Sequence, residues 1–181
     1  MKRALGTVAI SVVTALALSA APAGAAQVTV PDPQGDSPEA PLDLLGFTAS
    51  NNDLHLRIEL TVEDATRDGD LFVNVKPRQG DGVRIVSRFR PAGKSRTFLL
   101  DQAVTDDGAG KNTRLRCPGL KLRQGFAGSL PTIIFDLPSR CLSKGNYGAL
   151  RLIAVVEADR DAQVKPEAND EIAKSDYVAR G

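Results

Sequence analysis

The chain has 181 residues, with 23 Lys and Arg against 22 Asp and Glu, two Cys, two Tyr, one His and no Trp. A net charge of +1 spread along the chain argues against nucleic acid and against an anionic membrane as the partner. One histidine and few aromatic rings leave little material for histidine-centred catalysis or for an aromatic sugar clamp.

The first element in chain order is a leader. Lys2 and Arg3 make a short positive segment. Leu5 to Ala20 is uncharged and rich in Val, Ala, Leu and Ile, the length of a signal-peptide core and short for a stable membrane span. Ala23-Gly24-Ala25 is an A-x-A site, so cleavage is expected before Ala26 or one residue later. Residues 1–25 therefore read as a secretory signal peptide, the alternative being an uncleaved N-terminal anchor. The expectation is a secreted, extracellular protein, monomeric, with no membrane span in its mature part. Loss of Lys2 and Arg3 from the 23 basic residues leaves 21 against 22 acids, so the net charge moves from +1 to −1. The remaining stretch, 26–181, suits a single domain of about 155 residues with its own core.

Directly after the leader, Pro31-Asp32-Pro33-Gln34-Gly35-Asp36-Ser37 places two carboxylates around a glycine, and Asp43 follows before the strand that contains Phe47. Hard cations such as Ca²⁺ take several oxygen ligands, which acidic Gly-containing loops supply from side chains and carbonyls. Asp32, Asp36 and Asp43 are thus candidate calcium ligands, although the spacing is not that of an EF-hand. The plainer alternative is an Asp-rich turn bonding its own backbone. Asp159 and Asp161, at the end of a later strand, would join the site if the fold brings the ends together.

The rest of the chain alternates with a period of two. Leu54-His55-Leu56-Arg57-Ile58-Glu59-Leu60-Thr61-Val62 predicts a strand with one buried and one wet face. Leu71, Val73 and Val75 form a second such face, and Val83, Ile85 and Phe89 a third, opposed by Arg84, Arg88 and Arg90. Ser95 to Ala103 reads as a strand around Phe98 and Leu100. Thr113 to Cys117 and Leu120 to Gln124 are short strands parted by Pro118-Gly119, and Thr132 to Leu137 is stopped by Pro138. Tyr147 to Glu157 is apolar on both faces, as expected of a central or covered strand. Residues 139–145 and 169–174 can each make one helical turn, and Asp159 to Ser175 reads as a long mobile charged loop. Tyr177 and Val178 are expected to add a last edge strand. Turn signals such as Asn51-Asn52-Asp53, Gln79-Gly80-Asp81-Gly82 and Asp106-Asp107-Gly108-Ala109-Gly110 separate the runs. Many short strands without an amphipathic helix predict an all-β, antiparallel β-sandwich, with a closed barrel as the alternative.

Cys117 and Cys141 are an even pair in an exported chain and read as one disulfide. Two thiols and the lone His55 are too few for a zinc site. His55 should lie on the wet face, with no second group to orient it as a base. No G-x-S-x-G elbow is present. Carboxylate-only hydrolysis is the least supported alternative. Arg84, Arg88, Arg90 and Arg96 either greet an anionic polymer or are a solvated face paired with acids such as Glu59.

Along the chain follow Asp32-Pro33-Gln34-Gly35-Asp36, Leu71-Phe72-Val73-Asn74-Val75, Cys117, Phe135-Asp136-Leu137-Pro138 leading to Cys141-Leu142, and Val178-Ala179-Arg180-Gly181. In this order they resemble a group of small secreted bacterial proteins of unknown function. More distantly, the layout is similar to sandwich domains of the DOMON and family 9 carbohydrate-binding type. The resemblance implies a β-sandwich bridged by Cys117–Cys141. The chain departs from those families in lacking an aromatic clamp and a Met/His haem pair. The function expected is a non-enzymatic binding module for a glycan or cell-surface polymer. Its alternatives are a structural or protein-interaction domain without a small ligand, and a carboxylate-dependent hydrolase.

Overall fold

Alternating apolar residues build eleven strands in the computed structural model, which describes residues 26–37, 40–101, 113–142, 148–157 and 169–181. In chain order they are β1 (Ala26–Pro31), β2 (Leu44–Asn51), β3 (His55–Val62), β4 (Gly69–Pro77), β5 (Val83–Phe89), β6 (Arg96–Asp101), β7 (Arg114–Leu115), β8 (Lys121–Ala127), β9 (Leu130–Pro138), β10 (Leu150–Glu157) and β11 (Asn169–Glu171). A 3₁₀ turn, Ser139–Leu142, follows β9. The leader, the Asp106–Gly110 loop, Tyr147, Asp159 and Asp161 lie outside the described residues.

The strands form two antiparallel sheets, one in the order β1-β2-β3-β9-β8, the other β11-β10-β4-β5-β6-β7. The inward residues of β3 (Leu56, Ile58, Leu60, Val62) and β9 (Ile133, Phe135, Leu137) face those of β4 (Leu71, Val73, Val75) and β10 (Leu150, Leu152, Ala154, Val156) in one buried core. The architecture is the expected β-sandwich. Each sheet keeps two edges, unlike a closed barrel. Among the described residues no helix is long and apolar enough to cross a membrane.

The second sheet is tied to the first at both ends of β2. At one end the Leu44 amide donates to Asp170 Oδ2 at 2.5 Å. At the other, Asn51 Nδ2 donates to the carbonyls of Gly148 (3.0 Å) and Val178 (3.2 Å). Cys117 and Cys141 are bonded, their Cα atoms 5.5 Å apart. The bridge joins the segment after β7 to the 3₁₀ turn after β9, and so links the sheets a third time.

Three expectations need correction, and one strand was not read from the sequence: Ala26–Pro31, paired along its length with β2. In β6 the inward residue is Leu99, while Phe98 and Leu100 pair with the outward Val86 and Arg84. Phe98 is therefore not a core residue, although Phe47, Phe89 and Phe135 are. Residues 169–174 are not a helical turn, and 169–175, the end of the stretch expected to be a loop, is bonded to β10; the rest of that stretch, 159–168, lies outside the described residues. Asn169–Glu171 pairs with β10, and the amides of Ile172 and Ser175 donate to the carbonyls of Ala154 and Leu152. Isoleucine 172 and Val178 fill core positions, so burial of apolar side chains outweighed the polar composition around them. Lastly, Glu59 lies on the first sheet and pairs with Arg57 at 3.3 Å, away from the arginines of β5 and β6.

Candidate metal centre

The acidic loop between β1 and β2 is shaped by two glycines. Gly35 takes a φ of 74°, which reverses the chain after Gln34. Its amide donates to Asp43 Oδ2 at 2.8 Å, so the far end of the loop holds the turn. Gly46 has a φ of 138°, at the register shift between Leu44 and Gly46 where β2 bulges against β3. A Cβ there would stand 2.5 Å from the Val30 carbonyl oxygen, so only glycine lets β1 and β2 approach this closely. The bulge ends the regular pairing next to Leu44, whose amide is taken by Asp170.

Asp32, Asp36 and Asp170 meet here, each offering a carboxylate oxygen within 4.8 Å of the others. Asp170 projects inward from β11 and is 1% exposed, Asp32 is half-buried, and Asp36 sits at the mouth. The charge of Asp43 acts on both Asp32 and Asp170. Asp32 Oδ2 and Asp43 Oδ1 are buried without a hydrogen-bond partner. Beside the cluster, a groove of about 310 Å³ is lined by Asp43, Glu63, Asp64 and Arg67, with Gln34 Nε2 on Glu63 Oε1 at 2.7 Å.

Electrostatics follow from this crowding. Burial, then the charges of Asp170, Asp36 and Asp43, push the Asp32 carboxyl up from 3.8 to about 6. Asp170 is also raised, first by burial, against the opposing Leu44 N–H. Asp64, on the rim, is held lower by the hydroxyl and amide of Thr66. Like charges this close raise one another's pKa unless a cation answers them.

Compared with known proteins, the chain matches no family model, no curated protein and no solved structure. The site is read from its own residues.

Of the three ligands expected, Asp32 and Asp36 converge and Asp43 braces their loop. Asp170 was missed. It lies far along the chain, in a segment whose composition reads as loop, and its one local signal is a period-two pairing with Ile172. His55 is half-buried on the outer face of the first sheet, its Nε2 3.4 Å from Asn52 Nδ2. It is at the opposite end of β3 from the carboxylates. Arg84, Arg88 and Arg96 share the outer face of the second sheet, whereas Arg90 turns to Asp68 (3.5 Å) and Asp70 (3.3 Å).

Proposed function

We propose that this chain is a secreted, non-enzymatic binding module that takes a hard divalent cation, calcium first, on Asp32, Asp36 and Asp170. The observation that carries the reading is the convergence of three carboxylates from both ends of the domain, with oxygens within 4.8 Å of one another. Ligands on opposite sides of a Ca²⁺ ion stand about 5 Å apart, since each bond is about 2.5 Å. The two orphaned oxygens, Asp32 Oδ2 and Asp43 Oδ1, add further acceptor capacity facing no protein donor.

Acid–base hydrolysis by the same carboxylates is less well supported. Glycosidase pairs stand about 5–9.5 Å apart, to admit a sugar bond or a water, and this cluster is tighter. Asp170 also gives an oxygen to Leu44.

The module's ligand is read as a glycan or cell-surface polymer and the protein as a monomer outside the cell. The resemblance to carbohydrate-binding sandwiches supports this by analogy of fold alone. One observation favours a protein partner as the second reading: Phe126 is 77% exposed at the β8–β9 hairpin, beside the exposed Leu130.

Calorimetric titration tests the cation claim. Calcium should bind at about one ion per chain, with magnesium much weaker because it demands a smaller octahedral site. Asp32→Asn and Asp170→Asn should abolish the heat. A wild-type titration indistinguishable from buffer would refute the site.

A further inference from the structure

The outer face of the second sheet is basic over the half built by β5, β6 and β7. Its outward residues are Arg84, Val86 and Arg88 on β5, Arg96, Phe98 and Leu100 on β6, and Arg114 on β7. No acid stands among them; the nearest, the buried Asp70 on β4, lies opposite Arg88 on its other side and is held by Arg90 at 3.3 Å. Arg88 and Arg96 are direct cross-strand partners, both exposed, and neither makes an ion pair among the described residues. Like charges opposite one another on neighbouring strands destabilise a sheet. Asp70, opposite Arg88 on β4, is engaged by Arg90, which leaves the Arg96 side of the rung without an acid, and a sequence that keeps this arrangement points to an anion that answers it.

Two of the guanidiniums are also pre-positioned. Arg114 lies over the Phe98 ring at 4.8 Å, and Arg84 over Phe72 at 5.3 Å, its Nε donating to Asn74 Oδ1 at 2.7 Å. Stacking fixes the plane of a guanidinium, so less freedom is lost when it grips a carboxylate. Between the arginines, Phe98 and Leu100 are half-exposed, while Phe72 and Val86 are buried. This is a flat apolar strip between cations, without the protruding apolar side chains that enter a lipid surface.

We infer that this half-face docks an acidic polysaccharide, with uronate carboxylates on Arg88, Arg96 and Arg114 and sugar-ring faces on Phe98 and Leu100. The inference rests on the binding-module reading above and names its ligand class.

Retention of the purified protein on immobilised polygalacturonate tests it, in EDTA so that cation bridging through the acidic loop is absent. Neutral glucan and anionic phospholipid vesicles are the parallel arms. Wild type should bind polygalacturonate alone, and less as salt rises. Replacing Arg88, Arg96 and Arg114 by Ala should weaken binding at least about tenfold. Replacing Arg57 and Arg123 by Ala, on the other sheet, should not. Arg96→Glu turns the repulsive rung into an ion pair, so it should unfold no earlier than wild type and still lose binding. Equal retention of wild type and the triple variant overturns the inference, as does binding to vesicles but not to polygalacturonate. Capture by neutral glucan, indifferent to the arginine variants, leaves the binding-module reading standing and ends this one. If no polymer holds the protein, this inference fails, while the cation site stands or falls on its own calcium titration.

Discussion

Asp32 and Asp170 carry most of the chemistry argued above, and each can be tested through its proton. Below pH 3.8 the Asp32 carboxyl is protonated folded or unfolded, whereas between 3.8 and about 6 only the folded chain holds the proton. Stability of the cation-free protein contributed by this group therefore falls as pH rises through that window. Asp170, also raised, acts in the same direction. In EDTA the melting temperature of wild type, relative to Asp32→Asn, should rise as pH is lowered from 7 to 5. In calcium the trend should reverse, because protons compete with the ion for the same oxygens. Equal pH profiles for wild type and variant would show that Asp32 is not perturbed. Asp170 gives a second contrast. Asp170→Asn keeps an acceptor for the Leu44 amide and removes a charge, so its melting temperature in EDTA should equal or exceed that of wild type while its calcium response is lost. Asp170→Ala orphans a buried amide and should cost about 1–3 kcal/mol by denaturant unfolding.

At the scale of elements, β3, β4 and β5 were legible from sequence because the apolar residues of the inward face recur at every second position. Both apolar faces of β10 were also visible. Its outward Ile153 and Val155 lie opposite Asn74 and Phe72 on the central strand β4. What composition hid was register and long-range pairing. β6 offers Phe98, Leu99 and Leu100 in a row, and a one-residue shift exchanges its faces. β11 has only Asn169–Glu171, too short to show a period. The acidic loop was legible as a candidate, and its partner on β11 was not, because contact between first and last strands leaves no local mark. Two variants test the elements that shape the site. Gly46→Ala meets both a positive φ of 138° and a carbonyl at 2.5 Å. It should cost on the order of 2–4 kcal/mol and loosen β1, read as a lower denaturant midpoint. Removing the disulfide with Cys117→Ala and Cys141→Ala should cost about 3 kcal/mol. An unchanged midpoint in either variant would contradict the role given to that element.

For the whole molecule, the account makes the acidic loop a joint between the two sheets. Asp32 and Asp36 belong to the loop that leaves the first sheet's edge, and Asp170 to the edge of the second, already bonded to Leu44 across the sandwich. A cation held by all three would clip first and last strands together and silence the mutual repulsion of the carboxylates. It binds only the folded chain, because the unfolded chain does not bring these residues together. Ligand in hundredfold excess over its dissociation constant then adds about 2.7 kcal/mol. A domain of this size gains about 2–4 °C per kcal/mol. Thermal unfolding at pH 7, in saturating calcium and in EDTA, reads this directly. The account predicts a melting temperature at least about 5 °C higher in calcium, with the difference abolished in Asp32→Asn. Superimposable melts of wild type in the two buffers would contradict it.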